Sequence, residues 1–248
     1  MKKILILGGT GDAAELARRV TFLEGVEVIS SLAGRTRKPG EVAGNVRVGG
    51  FGGEAGLKDF LQKETIDLVI DATHPFARSI SFNAAAACVG CGVQHLMLIR
   101  PAWEKVEGDE WIEVESNEIA AQVLGGFKRV FLTIGRQELG VFSDLQDIWF
   151  LMRMIDPPAP EIRIPKGELL LDKGPFSLVS ERELLVKYKI EVIVSKNSGG
   201  EATYAKIVTA RELGLPVVMV KRPPVPVGDV VTDVNSAYLW ILKKLNQA

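Results

Sequence analysis

The sequence predicts an α/β protein made of two halves, each with a mainly parallel sheet, facing each other across a cleft. Three observations carry this expectation. Short apolar runs alternate with longer helical patterns along the whole chain. The first such run leads directly into a glycine turn and a helix. The order strand, loop, helix, strand around Asp71 returns around Ser195.

The opening Lys3-Ile-Leu-Ile-Leu-Gly8-Gly9-Thr10-Gly11-Asp12-Ala13-Ala14-Glu15-Leu16-Ala17 reads as a buried strand, a turn and a close-packing helix. Gly8 is expected to permit the tight turn and Gly11 to let the backbone approach a pyrophosphate. Ala14 stands where a third glycine would let helix and strand touch. The helix N-terminus then offers free N–H groups and a partial positive charge to the phosphates. This is how a Rossmann-like, dinucleotide-binding half begins. Further strands are expected near 26–31, 67–71, 94–99, 129–134, 190–195 and 216–221. Helical patterns fill 12–23, 54–64, 77–90, 117–124, 178–188, 202–213 and 235–246.

The second strand, Val26 to Ser31, ends where an NAD site usually places an acidic residue for the ribose 2′-hydroxyl. No acid stands there. Ser30-Ser31-Leu32-Ala33-Gly34-Arg35-Thr36-Arg37 supplies hydroxyls and guanidinium groups instead, which suit a 2′-phosphate. The expected cofactor is therefore NADPH. Its expected contacts are Gly8, Gly9, Thr10, Gly11, Asp12, Ala13, Ser31, Gly34 and Arg35, with Thr73 and His74 from the loop after the strand at 67–71.

A length of 248 residues allows one large domain or two small ones. A net charge of −1 gives no overall basic field for nucleic acid. The apolar runs are too short to cross a bilayer, and the run after Lys3 stops at Gly8 without a cleavage-site pattern, so a cytoplasmic protein is expected. Cys88 and Cys91 form a single pair, with no second pair and no histidine at zinc-finger spacing. They close an alanine-rich helical segment, so packing is the expected role and no metal site is foreseen.

The second half echoes the first. Leu57 to Asp71 leads through a loop and a helix to Ile99-Arg100-Pro101, and Arg182 to Ser195 leads in the same way to Lys221-Arg222-Pro223. Val130-Phe-Leu-Thr-Ile-Gly135 repeats the opening strand and turn without the full glycine fingerprint. The expected division is 1–101 as the NADP(H)-binding domain and 102–248 as a second α/β domain completing the substrate cleft. Arg35, Arg100, Arg136, Lys196 and Arg222 all follow predicted strands. Such strand ends are where ligands bind in this fold, so a neutral protein is expected to have a basic rim for a substrate carrying several carboxylates.

Two loops carry candidate chemistry. In Asp71-Ala-Thr73-His74-Pro75-Phe76-Ala77, Asp71 or Thr73 is expected to cap the following helix, with Pro75 in its first turn. His74 and Phe76 are not needed for that. In Ser195-Lys196-Asn197-Ser198-Gly199-Gly200, small residues offer backbone N–H groups to oxyanions.

Together these segments resemble the precorrin-6A reductase family of corrin biosynthesis. The matching pieces are Leu7 to Ala13, Ser31-Leu-Ala-Gly-Arg35-Thr36, Val48-Gly-Gly-Phe-Gly-Gly53 with Gly56-Leu57, and Asp71 to Ala77. They continue with Arg100-Pro-Ala-Trp103, Phe131 to Arg136, Ser195 to Gly200 and Ala210 to Met219. Asp12 departs from the Glu more usual in the family. The resemblance implies NADPH-dependent reduction of one ring double bond of precorrin-6A, or of its cobalt form, to the 6B form. It leaves His74 and Lys196 as candidates for delivering the proton. Phe76, Arg100, Arg136, Lys196, Ser198, Gly199 and Arg222 are the candidate substrate contacts. The alternatives are an NADP(H)-dependent reductase of another small anionic substrate and a non-enzymatic NADP(H)-binding redox sensor. A sugar-nucleotide epimerase is disfavoured, because Tyr204 and Lys206 are two apart rather than four on their helix.

Overall fold

The computed structural model describes residues 1–34 and 42–246. Arg35, expected at the cofactor, therefore lies outside the described residues. The chain divides into two compact units, Met1–Pro101 with Pro223–Ala248, and Ala102–Arg222.

The first passage through unit one contains β1 (Lys2–Leu7), α1 (Gly11–Val20), β2 (Val26–Leu32), β3 (Asn45–Val48), α2 (Gly53–Lys63), β4 (Leu68–Asp71), α3 (Arg78–Cys91) and β5 (Gln94–Leu98). Unit two contains β6 (Trp111–Val114), α4 (Asn117–Gln122), β7 (Arg129–Thr133), a 3-10 helix at Arg136–Phe142, β8 (Trp149–Met154) and β9 (Gly167–Leu171). It continues with α5 (Leu178–Lys187), β10 (Val192–Lys196), a short 3-10 turn at Glu201–Thr203, α6 (Ala205–Leu213) and β11 (Val217–Val220). The chain then returns to unit one with β12 (Asp229–Val231) and α7 (Val234–Leu245).

The two sheets run β12-β5-β4-β1-β2-β3 and β6-β11-β10-β7-β8-β9, and every neighbouring pair is parallel. They match position by position, β1 with β7, β4 with β10, β5 with β11. The end strands are exchanged in sequence: β6 follows β5 but joins the second sheet, and β12 follows β11 but joins the first. This corrects the expected 102–248 domain. β12 pairs beside β5, and α7 buries Ala237 and Ile241 in one cluster with Leu16, Ala17 and Val20 of α1.

The central strands are buried on both faces. Ile4 and Ile6 of β1 join the α1–α7 cluster, while Leu5 and Leu7 join one with Leu57, Leu61, Ala84 and Ala87 from α2 and α3. A strand covered by helices on both sides must be apolar at every position, which explains the unbroken run Ile4–Leu7. In α3 the small residues Ala84, Ala87 and Cys88 allow close approach to the sheet. Burial pushes the Cys88 thiol up to about 12, so it packs as an inert thiol.

Unit two buries charge as well as apolar surface. Lys206 of α6 is 3% exposed; its ammonium donates to the Thr203 carbonyl at 2.9 Å and lies 4.7 Å over the Trp103 ring. Burial, aided by the like charge of Arg153, lowers its pKa from 10.5 to about 7. Between those two values the unfolded chain holds the extra proton, so folding stability should rise with pH, by up to about 1.4 kcal/mol per unit. This contribution is complete above the unfolded value and lost as pH falls through the folded one. Denaturant titrations across that window should show the slope in the wild type and a flatter profile in Lys206→Met. Equal slopes in the two proteins would refute the assignment.

Candidate active site

In each unit the chain reverses its direction of winding at the centre of the sheet, between β1 and β4 in one and between β7 and β10 in the other. Ligands bind outside the carboxyl ends of strands at such points.

In unit one that point holds the glycine turn. The Gly8 N–H donates to the Ser31 carbonyl at 2.9 Å, which joins the turn to the end of β2. The left-handed residue is Gly9, with φ 110°, whereas Gly8 is selected by packing. A Cβ on Gly8 would meet Leu32 Cδ2 at 3.4 Å and Ala13 Cβ at 3.5 Å. Ala13, 4% exposed, is therefore the close-packing residue expected at Ala14. Gly11 has nothing within 4 Å of where its Cβ would stand, so a ligand can reach the backbone there. Thr10 caps α1 by accepting from Ala13 N at 3.1 Å, and its hydroxyl donates to the Ala72 carbonyl at 2.8 Å. One side chain thus starts the helix and ties the turn to the loop after β4. A groove of about 660 Å³ starts at Gly11 and follows Ala14, Glu15 and Arg18 along α1, with Val42 and Ala43 opposite.

The loop after β4 is held by its own first residue. Buried Asp71 accepts from the Thr73 N–H at 3.0 Å and the Thr73 hydroxyl at 2.6 Å. Neither residue caps α3, contrary to the expectation. That helix starts at Arg78, after an N-cap at Ala77 with no side-chain bond, and Pro75 precedes it. The Asp71–Thr73 turn instead fixes where the loop leaves the sheet. His74 is exposed, its Nδ1 accepts from the Phe76 N–H at 3.3 Å, and the two rings lie 5.8 Å apart. Arg100, just after β5, places Nη1 3.5 Å from Asp12 Oδ2 in the first turn of α1. Gly34, with φ 73°, packs against Val48.

In unit two, Lys196 ends β10 and forms an ion pair with Glu138 of the 3-10 helix that follows β7. Arg136 at the start of that helix donates to the Pro157 carbonyl at 2.9 Å. The Ser195–Gly200 loop is braced by Asn197. Its Oδ1 accepts from the Trp103 N–H at 2.8 Å, its Nδ2 donates to the Trp103 carbonyl at 2.9 Å, and its own carbonyl accepts from Arg222 Nε at 2.8 Å. The Trp103 indole N–H donates to the Gly200 carbonyl at 2.9 Å, while the Ser198 N–H donates back to Lys196 O at 2.8 Å. Gly199 and Gly200 adopt φ 67° and 77°, which this tight path requires.

The expected residues thus form two groups. Gly8 to Ala13, Ser31, Gly34, Thr73, His74, Phe76 and Arg100 lie in unit one, and Arg136, Lys196, Ser198, Gly199 and Arg222 in unit two. Sequence reasoning missed Glu138, Asn197 and Trp103 as organisers of these groups. Among the described residues no helix is long and apolar enough to cross a membrane, and no cluster of His, Cys, Asp and Glu is suited to a metal ion.

Comparison with known proteins places these features in a family. The model of "Precorrin-6x reductase CbiJ/CobK" matches residues 3–242. The precorrin-6A reductase of Rhodococcus erythropolis is 46% identical over 243 residues, 97% of this chain and 98% of the relative. The cobalt-precorrin-6A reductase of Priestia megaterium is 30% identical over 92% of this chain and 93% of its own length. A solved structure described as CobK precorrin-6A reductase superposes with a TM-score of 0.91 at 40% identity, covering 98% of this chain and 97% of that one.

Proposed function

This chain belongs to the precorrin-6x reductase family, and from that premise we propose that it reduces one ring double bond of precorrin-6A, with NADPH as the hydride source. The observation that carries the reading is identity of 40–47%, over 85% or more of each chain, to several relatives named precorrin-6A reductase, against 26–30% to those named for the cobalt form. The same contrast favours the cobalt-free substrate over the cobalt-bound one.

The residues present fit a dinucleotide. Gly11 leaves the backbone open, Gly9 takes a left-handed turn, and α1 directs its N-terminus at the same point. When bound, the nicotinamide supplies the hydride, and the chain supplies placement and charge. Thr10 and the Asp71–Thr73 turn hold the glycine turn and the His74 loop in a fixed relation. Arg136 and Arg222 set positive charge at the strand ends of unit two for carboxylates of the substrate, beside Lys196, whose ammonium is paired with Glu138. His74 and Lys196 are the groups able to deliver the proton that accompanies the hydride.

Mixing the protein with NADPH and precorrin-6A, with and without cobalt, while following the nicotinamide and macrocycle bands together, tests the whole reading. Coupled loss of NADPH and a shifted macrocycle spectrum is expected. NADPH that binds but is never oxidised would sink it. His74→Ala is expected to lower turnover by about a hundredfold while NADPH affinity changes little. A hundredfold loss of affinity at unchanged turnover would remove His74 from the reaction.

A further inference from the structure

Arg47 belongs to no role described so far. It sits in β3, in register with Ser31 of β2, the residue whose carbonyl receives the Gly8 N–H of the glycine turn. Its Nη1 donates to Ser31 Oγ at 3.1 Å and to the Gly49 carbonyl at 2.6 Å, and its Nη2 to the Gly50 carbonyl at 2.7 Å. The guanidinium lies 3.8 Å over the Phe51 ring and 5.3 Å from that of Phe60. It is therefore rigid before any ligand arrives.

Two features point to an anion. Among the described residues Arg47 forms no ion pair. Burial also lowers its pKa, so the cation is partly stripped of water with no carboxylate among the described residues to offset the cost. The second feature is which hydrogens are used. The three bonds leave Nε–H and one Nη2–H of the five, and among the described residues nothing accepts either. The Nε–Nη2 edge is the one with which Arg18 grips both oxygens of Glu15 at 2.9 and 3.0 Å. A phosphate presents the same pair of acceptors.

The position selects the ligand. In this fold the end of the second strand meets the ribose next to the adenine, where NADP(H) carries its extra phosphate. We propose that Arg47 is a specificity-determining residue for the ribose 2′-phosphate of the dinucleotide, gripping it through the Nε–Nη2 edge while Ser31, Gly49 and Gly50 hold the guanidinium in place. This rests on the reading that the chain takes NADPH, and it adds a second arginine to the expected Arg35.

The test compares ligands that differ only in that phosphate. Dissociation constants of NADPH and NADH, and of 2′,5′-ADP and 5′-AMP, are measured for the wild type, Arg47→Gln and Arg47→Lys. The Gln variant should weaken NADPH and 2′,5′-ADP by about tenfold or more, and change NADH and 5′-AMP by less than about twofold. The Lys variant, which keeps the charge and loses the fork, should fall between. Equal weakening of both members of each pair would make Arg47 a brace for the loop and overturn the proposal. If the Gln variant does not fold, the Lys variant decides: an unchanged NADPH preference overturns the proposal and a severalfold drop supports it. A wild type without that preference overturns both this proposal and the cofactor reading. A preference that survives in the variants overturns this proposal alone.

Discussion

Gly56→Ala is expected to destabilise the protein by about 3 kcal/mol and to weaken dinucleotide binding with it. Gly56 lies in the second turn of α2, and a Cβ there would stand 1.8 Å from the carbonyl oxygen of Phe51 and 3.0 Å from its carbon. Both atoms are backbone, so no rotamer change relieves the clash. The carbonyl is held over the helix by the preceding path: Gly49, Gly52 and Gly53 all take left-handed angles, with φ between 81° and 124°. Arg47 pins the same loop at Gly49 and Gly50. Relief must therefore come from shifting the whole loop, and Arg47 and Ser31 shift with it. Gly90→Ala is the control. That helical glycine faces only the flexible end of Lys58, at 3.4 Å, and alanine there should be neutral or stabilising by up to about 1 kcal/mol. Urea midpoints for the two variants settle the matter, and similar values would show that the clash is absorbed.

Glu181→Leu is expected to lose about 4 kcal/mol, and adding Arg153→Met should restore most of it. Arg153 is 7% exposed in β8, an interior strand, and Glu181 is 1% exposed in α5. Arg153 Nη1 donates to Glu181 Oε1, and Nη2 to Oε2 at 3.3 Å. The guanidinium lies 3.6 Å over Phe176 and 4.8 Å over Phe131. Removing Glu181 leaves a buried cation with no counter-charge and a second buried amine, Lys206, nearby. The carboxylate also raises the Lys206 pKa, so without it that amine should titrate still lower and the pH-dependent window should widen downward. Replacing both members of the pair leaves apolar volume against aromatic walls, with no orphaned charge. A double-mutant cycle measures this, and a double variant no better than Glu181→Leu alone would show that the pair does not act as a unit.

These two cases mark where the sequence could be read and where it could not. The glycine turn, the Asp71–Ala77 loop and the seven expected strands were legible because each is a contiguous run whose pattern reflects its own burial. The strand Trp149–Met154 was not, although it lies inside its sheet. Arg153 interrupts its apolar pattern, and the partner that makes such burial tolerable is 28 residues away. The strands at Asn45–Val48, Trp111–Val114, Gly167–Leu171 and Asp229–Val231 lie at sheet edges, where one side is open and alternation is weak. The same limit applies to the site. Arg47 owes its place to a register between two strands, and Asn197 to a residue 94 positions earlier. Neither relation leaves a local trace, whereas Gly56 sits in a visible motif whose reason needs the path of Phe51.

The exchanged end strands set an order of completion during synthesis. Every strand of the second unit lies in the single run 102–222, so that unit has all its parts as soon as Arg222 has left the ribosome. The first unit does not. Until Asp229–Val231 emerges, one edge of its sheet at Gln94–Leu98 is unpaired, and until Val234–Leu245 follows, Leu16, Ala17 and Val20 lack part of their cover. The unit begun first is therefore finished last. Its open edge must be kept from pairing elsewhere while about a hundred and twenty residues are made between its two parts, a delay of several seconds at ordinary elongation rates.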